Sequence, residues 1–245
     1  GALCCLVLVL PLPIGYYILH ENSWPYWCLD AVILYLALAY NSLVLHAKQI
    51  LIPLQKNDLP SARHFCSYLV SRDTRKLNQQ AIARATTESV LENGHDAVIA
   101  SLVWFTLGGI PAVILHRLVN TLDAMWGYKN SRFVHFGYFS AKFDDLLGWP
   151  SAKITSLLYS CQGDFLLAMK NAYQQGRQYK SLNGGWVMAA GATVLKISLG
   201  GQASYHGKTI QSVTLGVGPS VNTHAIATSL TLVRNAAIIF IISYL

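Results

Sequence analysis

Long apolar runs alternate along this chain with two polar segments rich in basic residues. A helix that crosses a bilayer needs about 20 mostly apolar residues. Residues 2–20 and 27–46 reach that length, and the short turn ENSWPYW joins them. Trp24, Tyr26 and Trp27 suit the membrane–water interface. Pro11 and Pro13 predict a kink in the first span. Residues 47–96 are polar. Within them Asp58 predicts the N-cap of one helix, and a second helix is predicted over residues 77–92. On that second helix Arg84, Glu88 and Glu92 recur at i, i+4 and i+8, so they share one face.

Residues 97–118 return to apolar character but are broken by GGIP, Gly108 to Pro111. The run either crosses the membrane as a kinked helix or folds back as a re-entrant hairpin. Each arm of the hairpin has about ten residues, roughly 15 Å of helix, half a bilayer. Charge favours the hairpin. The segment before it holds Lys48, Lys56, Arg63, Arg72, Arg75, Lys76 and Arg84, and the loop after it holds Arg117, Lys129, Arg132, Lys142 and Lys153. Basic loops collect on the cytoplasmic face, and a hairpin returns both to that face. Further on, residues 154–169 are interrupted by Gly163 and Asp164, residues 187–201 are rich in small side chains, and residues 225–245 are apolar around Arg234 and Asn235. Arg234 reads as an interfacial residue that snorkels, with a functional site at membrane depth as the alternative. The pattern predicts an all-α, polytopic membrane helix bundle. It forms a single integral membrane domain over residues 1–245, with a cytoplasmic helical segment at 47–96 and a second motif-bearing loop at 117–153.

Composition agrees. The 245 residues are 53% hydrophobic and 12% charged, about half the charged share of a soluble domain. The net charge of +7 reports basic loops, because no basic face with base-reading side chains accompanies it and nucleic acid is not an expected partner. The five cysteines contain no C-x-x-C pair and read as thiols. The chain opens on Gly1 with apolar residues and no basic leader, which predicts that the natural N-terminus lies upstream.

The candidate chemistry is acidic. Glu88 and Glu92 stand one turn apart, followed by Asn93 and Asp96, at the doorway of an apolar run. Two acids so placed repel mildly, and the ordinary reading is a solvated helix face. A divalent ion would relieve the repulsion. Asn120 and Asp123 form a second set at i, i+3, and Asp144 and Asp145 form a third. Asp73 in VSRDT fits a cap for the coming helix. GGQASYHGKT is not a P-loop, since that pattern needs a glycine at position 202, where Gln202 stands. The eight histidines form no metal-binding spacing.

Read in order, several stretches resemble the integral membrane adenosylcobinamide-phosphate synthase family of cobalamin biosynthesis. They are DLPSARHFCSYLVSRDT, AIARATTESVLENGHDAVIASLVWF, GGIPAVILHRLVNTLDAMWGYKN and HFGYFSAKFDDLLGWPSAKIT, with SLNGGW and ISLGG…YHG matching more loosely. The resemblance covers about residues 41–207 and is most specific from Arg72 to Asp145. It implies ATP-dependent amide formation between the corrinoid adenosylcobyric acid and an aminopropanol or its phosphate, with Mg2+ as cofactor. It further implies a multi-pass protein of the cell inner membrane with a cytoplasmic active face, working beside other membrane enzymes of the pathway. Carried onto this chain, Glu88, Glu92 and Asp123 are the implied catalytic and Mg2+-binding residues. Arg72 and Arg84 meet phosphate, with Asp73, Thr74, Asp96 and Tyr128 also on the substrate side. Asn93, Asn120 and Asn183 orient ligands, and Asp144 and Asp145 contact substrate or support the ion's ligands. The family's opening acidic, proline-containing motif is absent here. Its Asn-Ala-Gly-Trp-Pro-Glu appears as NGGWVM, with Met188 in the place of the acid, and Gly148 stands where an asparagine follows the Asp pair. These departures leave a second reading open, a catalytically silent membrane relative in envelope sensing. A plain transporter ranks below both.

Overall fold

The computed structural model describes residues 1–20, 27–70, 73–127, 133–205 and 208–244, the side chains of 19–20, 202–205 and 208–210 excepted. Three helical stretches, Trp27–Gln55, Gln79–Trp126 and His224–Tyr244, are long and apolar enough to cross a membrane. They mark a membrane protein, built as a helix bundle with one β-hairpin. The chain forms two compact units, Gly1–Ala39 with Asp96–Ser151, and Tyr40–His95 with Ala152–Leu245.

The first unit contains α1 (Ala2–Val9), α2 (Pro11–His20), α3 (Trp27–Ala37), the π-helical turn His95–Ile99 from Asp96 onward, α7 (Ala100–Trp126) and the start of α8 (Tyr138–Ser160). The backbone of α7 leaves helical geometry at Gly108 and Gly109. Gly109 has φ +62° and ψ −158°, a conformation open essentially to glycine alone. Pro111 then begins the second arm, where its missing N–H breaks no helical bond. The arms fold back on each other. Arg117 Nη1 reaches the Asp96 carbonyl oxygen at 3.5 Å, whereas a straight helix would separate those residues by about 31 Å. This is the hairpin expected at Gly108–Pro111. Cys5, Val9, Val119, Leu122 and Leu147 form its core, with Trp104 and Leu115 packed against them. Trp104 donates its indole N–H to the Leu147 carbonyl at 3.2 Å.

The second unit is centred on α6 (Gln79–Gly94) and includes α4 (Tyr40–Gln55), α5 (Leu59–Leu69), the end of α8, α9 (Phe165–Gln174), the 3-10 turn Gly176–Gln178, α10 (Leu182–Val194), β1 (Ser198–Tyr205), β2 (Lys208–Gly216) and α11 (His224–Tyr244). Asp58 caps α5 by accepting from the Ser61 N–H at 3.1 Å, as its sequence predicts. Asn78, rather than Asp73, caps α6 through the Ala81 N–H at 2.8 Å. Small side chains let the helices approach. A Cβ on Gly94 would collide with Val233 Cγ2, and one on Gly191 would stand 2.9 Å from Leu91 Cδ2. Tyr159 locks this layer by donating to the Leu91 carbonyl at 3.2 Å. The antiparallel β1–β2 ladder carries a bulge between Gly200 and Gln202. It is tied down by Gln175, which accepts from the Gly216 N–H at 2.6 Å.

Candidate functional site

Each unit gathers part of the residues singled out in the sequence. In the second unit, α6 presents Glu88 and Glu92 on successive turns toward a cavity of about 150 Å3. Its walls include Ser89, Asn93, Lys180 and Met188. Glu88 is only 5% exposed. Its carboxylate accepts the Gly200 N–H at 2.9 Å, so the β-hairpin bulge sits on a buried acid. Glu92 is half-buried. Its Oε1 lies 2.6 Å from where a Cβ on Gly184 would stand, so only glycine fits there without displacing the acid. Asn183 stands beside it in the first turn of α10. Asn93 turns its amide back onto its own helix, donating to Ser89 at the carbonyl (2.9 Å) and the hydroxyl (3.0 Å).

Arg84 faces a second cavity of about 300 Å3, bounded by Asn78, Gln80, Gly200, Gly201 and Thr214. Both glycines adopt positive φ, +74° and +75°. Arg84 Nη1 lies 3.5 Å from the position of a Cβ on Gly201. Asp73 serves its own loop. Arg75 donates to it from Nε at 3.0 Å and Nη2 at 2.8 Å, and the Arg75 backbone N–H adds a bond at 3.0 Å. These bonds hold the Asp73 carboxyl at about 2, well below the usual range. Thr74 is buried beside it. Arg72 and Tyr128 lie outside the described residues.

In the first unit the hairpin brings together acids that the sequence holds far apart. Asp96 lies at the mouth of one arm, and Asn120 and Asp123 lie on the other. Asp144 approaches from α8, where Asn120 Nδ2 donates to its Oδ1 at 3.2 Å. Burial, then the charges of Asp96 and Asp123, push the Asp144 carboxyl up to about 8; the Asn120 bond opposes this and Asp145 adds to it. Asp145 itself is an exposed residue that meets Lys142 at 3.4 Å. A Cβ on Gly127 would strike the Asp123 carboxylate. Among the described residues no three His, Cys, Asp or Glu side chains are close enough to cage an ion unaided. The Glu88–Glu92–Asp123 set is divided between the units, two acids in one and the third in the other. Asp96, Asp123 and Asp144 form an open group of acids in which the Asp144 carboxyl keeps its proton up to about pH 8. Mg2+ asks a protein for only one or two carboxylates and completes its shell with water and phosphate oxygens, a demand that a deprotonated pair of these acids would meet.

Several neighbours of these residues are silent in the sequence. Gly200 binds Glu88 across 112 positions, and only the paired glycines of SLGG hint at a special backbone there. Lys180 enters the Glu88 cavity from the turn before α10 with no signal in the sequence, whereas Met188, which the sequence shows in the place of an acid, lines the same cavity.

The model of the CobD/Cbib protein family matches residues 1–233. A protein of Chromobacterium violaceum named Cobalamin biosynthesis protein CobD is 42% identical over 234 residues, 96% of this chain and 75% of that protein. Its namesake in Stutzerimonas stutzeri is 43% identical over 233 residues, 95% of this chain and 77% of its own length. The Clostridium tetani protein of the same name is 33% identical over 205 residues, 82% and 65% of the two chains. No solved structure matches. A match that runs through both carboxylate-bearing units, from the first helix into the last, shows that the chain belongs to the CobD/Cbib protein family.

Proposed function

We propose that this chain is an ATP- and Mg2+-dependent acid–amine ligase that joins the carboxylate of adenosylcobyric acid to an aminopropanol or its phosphate. The chain works in cobalamin biosynthesis, the role its relatives' names carry. The observation that supports the ligase reading is the convergence of Asp96, Asn120, Asp123 and Asp144. Amide formation from a carboxylate requires that one of its oxygens leave as part of a phosphate and that the amine lose a proton. Mg2+ bound by Asp123 and Asp144 would screen the phosphoryl charge. Asn120 orients Asp144 for that role. Glu88 and Glu92 offer carboxylates that hold the ammonium of the amine and accept its proton. Glu88 is fixed in place by Gly200, and Glu92 by the absence of a side chain at Gly184. Arg84, beside the open backbone of Gly200 and Gly201, meets substrate phosphate. The protein acts in the inner membrane with this chemistry on the cytoplasmic face, next to other enzymes of the pathway. An envelope-sensing role is not favoured, because the relatives carry the name of a biosynthetic protein.

The test is rescue of a synthase-deficient, cobalamin-requiring strain on cobyric acid. The wild-type gene restores growth, and Glu88→Gln, Asp123→Asn and Asp144→Asn do not. Absence of rescue by a well-expressed, membrane-inserted wild-type protein overturns the proposal.

A further inference from the structure

The second unit carries a cationic cluster that belongs to neither cavity described above. Lys153 of α8 stands with Nζ over the Trp186 ring of α10. Trp186 meets Tyr173 of α9 edge to face, with ring centroids 5.9 Å apart. The Arg177 guanidinium lies 4.8 Å from the Tyr173 centroid and donates to its hydroxyl at 2.7 Å. The aromatic rings thus hold two cations in place without neutralising them. Among the described residues neither cation forms an ion pair with a carboxylate. The strain falls on Lys153, whose ammonium is pushed down to about 8, first by burial and then by Arg177. A bound anion would relieve it.

The surroundings point to the source of that anion. α9 buries Ala168, Asn171 and Ala172 and turns Leu166, Lys170 and Tyr173 outward at i, i+4 and i+7. Leu166 is 78% exposed and Leu182, at the start of α10, is 56% exposed. A free phosphate has no use for exposed leucines. A phospholipid does, because its acyl and glycerol portions lie directly beneath the headgroup. Cations, Tyr and Trp beside outward-facing leucines form the pattern of a helix lying at a bilayer surface.

We propose that Lys153 and Arg177 bind the phosphate of an anionic phospholipid headgroup, with Trp186 and Tyr173 at the interface and Leu166 in the acyl region. This site stands independently of the ligase reading.

The test is native mass spectrometry of the chain purified from bilayers of phosphatidylcholine with an equal share of phosphatidylglycerol. Phosphatidylglycerol is retained in preference, and K153Q/R177Q lowers its relative affinity about 30-fold, the effect of two interfacial cations. K153R/R177K keeps the preference. R177Q alone, at an exposed turn residue, gives a smaller loss in the same direction if the double variant does not fold. Equal retention of the two lipids, or an unchanged preference in K153Q/R177Q, overturns the proposal. So does displacement of the lipid by micromolar inorganic pyrophosphate, which would mark a soluble-phosphate site.

Discussion

Glu88 offers the sharpest separation of structural from chemical roles. Its carboxylate is buried and accepts the Gly200 N–H at 2.9 Å. Glu88→Gln keeps an acceptor oxygen of the same reach and removes only the charge. A hydrogen bond to a charged acceptor contributes about 1.5–3 kcal/mol net and a neutral one about 1 kcal/mol, so Glu88→Gln costs about 1 kcal/mol. Relief of the repulsion from Glu92 offsets part of that. Glu88→Ala also orphans the Gly200 N–H and opens a void, so it costs about 2–4 kcal/mol. For a chain of this length each kcal/mol moves the midpoint by about 2–4 °C. Glu88→Gln therefore melts within a few degrees of wild type and Glu88→Ala about 4–15 °C lower, read as loss of the monodisperse elution peak after heating in detergent. Activity behaves differently. If the Glu88 charge serves the amine, Glu88→Gln loses about 100-fold in kcat/KM or more despite its near-normal stability. Full activity in Glu88→Gln, with loss only in Glu88→Ala, refutes the catalytic role and leaves Glu88 as the anchor of the hairpin.

The first unit yields a pH prediction. The Asp144 carboxyl is raised to about 8 by burial and by Asp96 and Asp123, so below that pH a divalent ion must displace its proton. Mg2+ affinity, followed by equilibrium dialysis, rises up to tenfold per pH unit until about pH 8 and then levels, and Asp144→Asn weakens binding and flattens this dependence; a pH-independent wild type contradicts it. Spin labels at positions 97 and 117 report about 15 Å or less across the folded α7, against about 30 Å for a straight helix, and the longer distance removes the hairpin. Gly109→Ala forces alanine into a glycine-only conformation and lowers stability by about 1–3 kcal/mol, visible as a lower melting midpoint. Gly94→Ala drives a methyl into Val233 and Tyr159 and costs a similar amount by overpacking; an unchanged midpoint contradicts the close approach of α6 and α11.

Local signals carried the parts of this protein that local physics decides. Asp58 caps α5 as its side chain dictates. α6 runs Gln79–Gly94, starting and ending two residues later than the predicted 77–92, and it keeps Glu88 and Glu92 on one cavity wall. GGIP bends α7 because Gly109 needs a backbone that no other residue adopts readily. The β-hairpin was not legible. Gly200 and Gly201 interrupt the alternation that marks a strand, and the run before them is small-residue helix. The pairing of Asn120 with Asp144 was equally hidden, since 24 residues and a turn separate them and each looks like an ordinary helix-face residue. The sequence offers Asp73 as a cap for the coming helix, but Asn78 is nearer to its first turn, and Arg75 holds Asp73 in the loop. For Gly200 and for Asp144 the deciding partner is distant in sequence, and neither propensity nor periodicity reports it; for Asp73 the competitors are local, and Asn78 takes the cap.

Amide-bond formation by this chain is measured most directly as product made by the purified protein. Detergent-solubilised protein is incubated with adenosylcobyric acid, aminopropanol phosphate, ATP and Mg2+, and the corrinoid is followed by mass spectrometry. One adenosylcobinamide phosphate is expected per ATP consumed, and the product is lost in Glu88→Gln and Asp123→Asn. Folded wild-type protein that leaves adenosylcobyric acid unchanged with every substrate present would contradict the ligase reading.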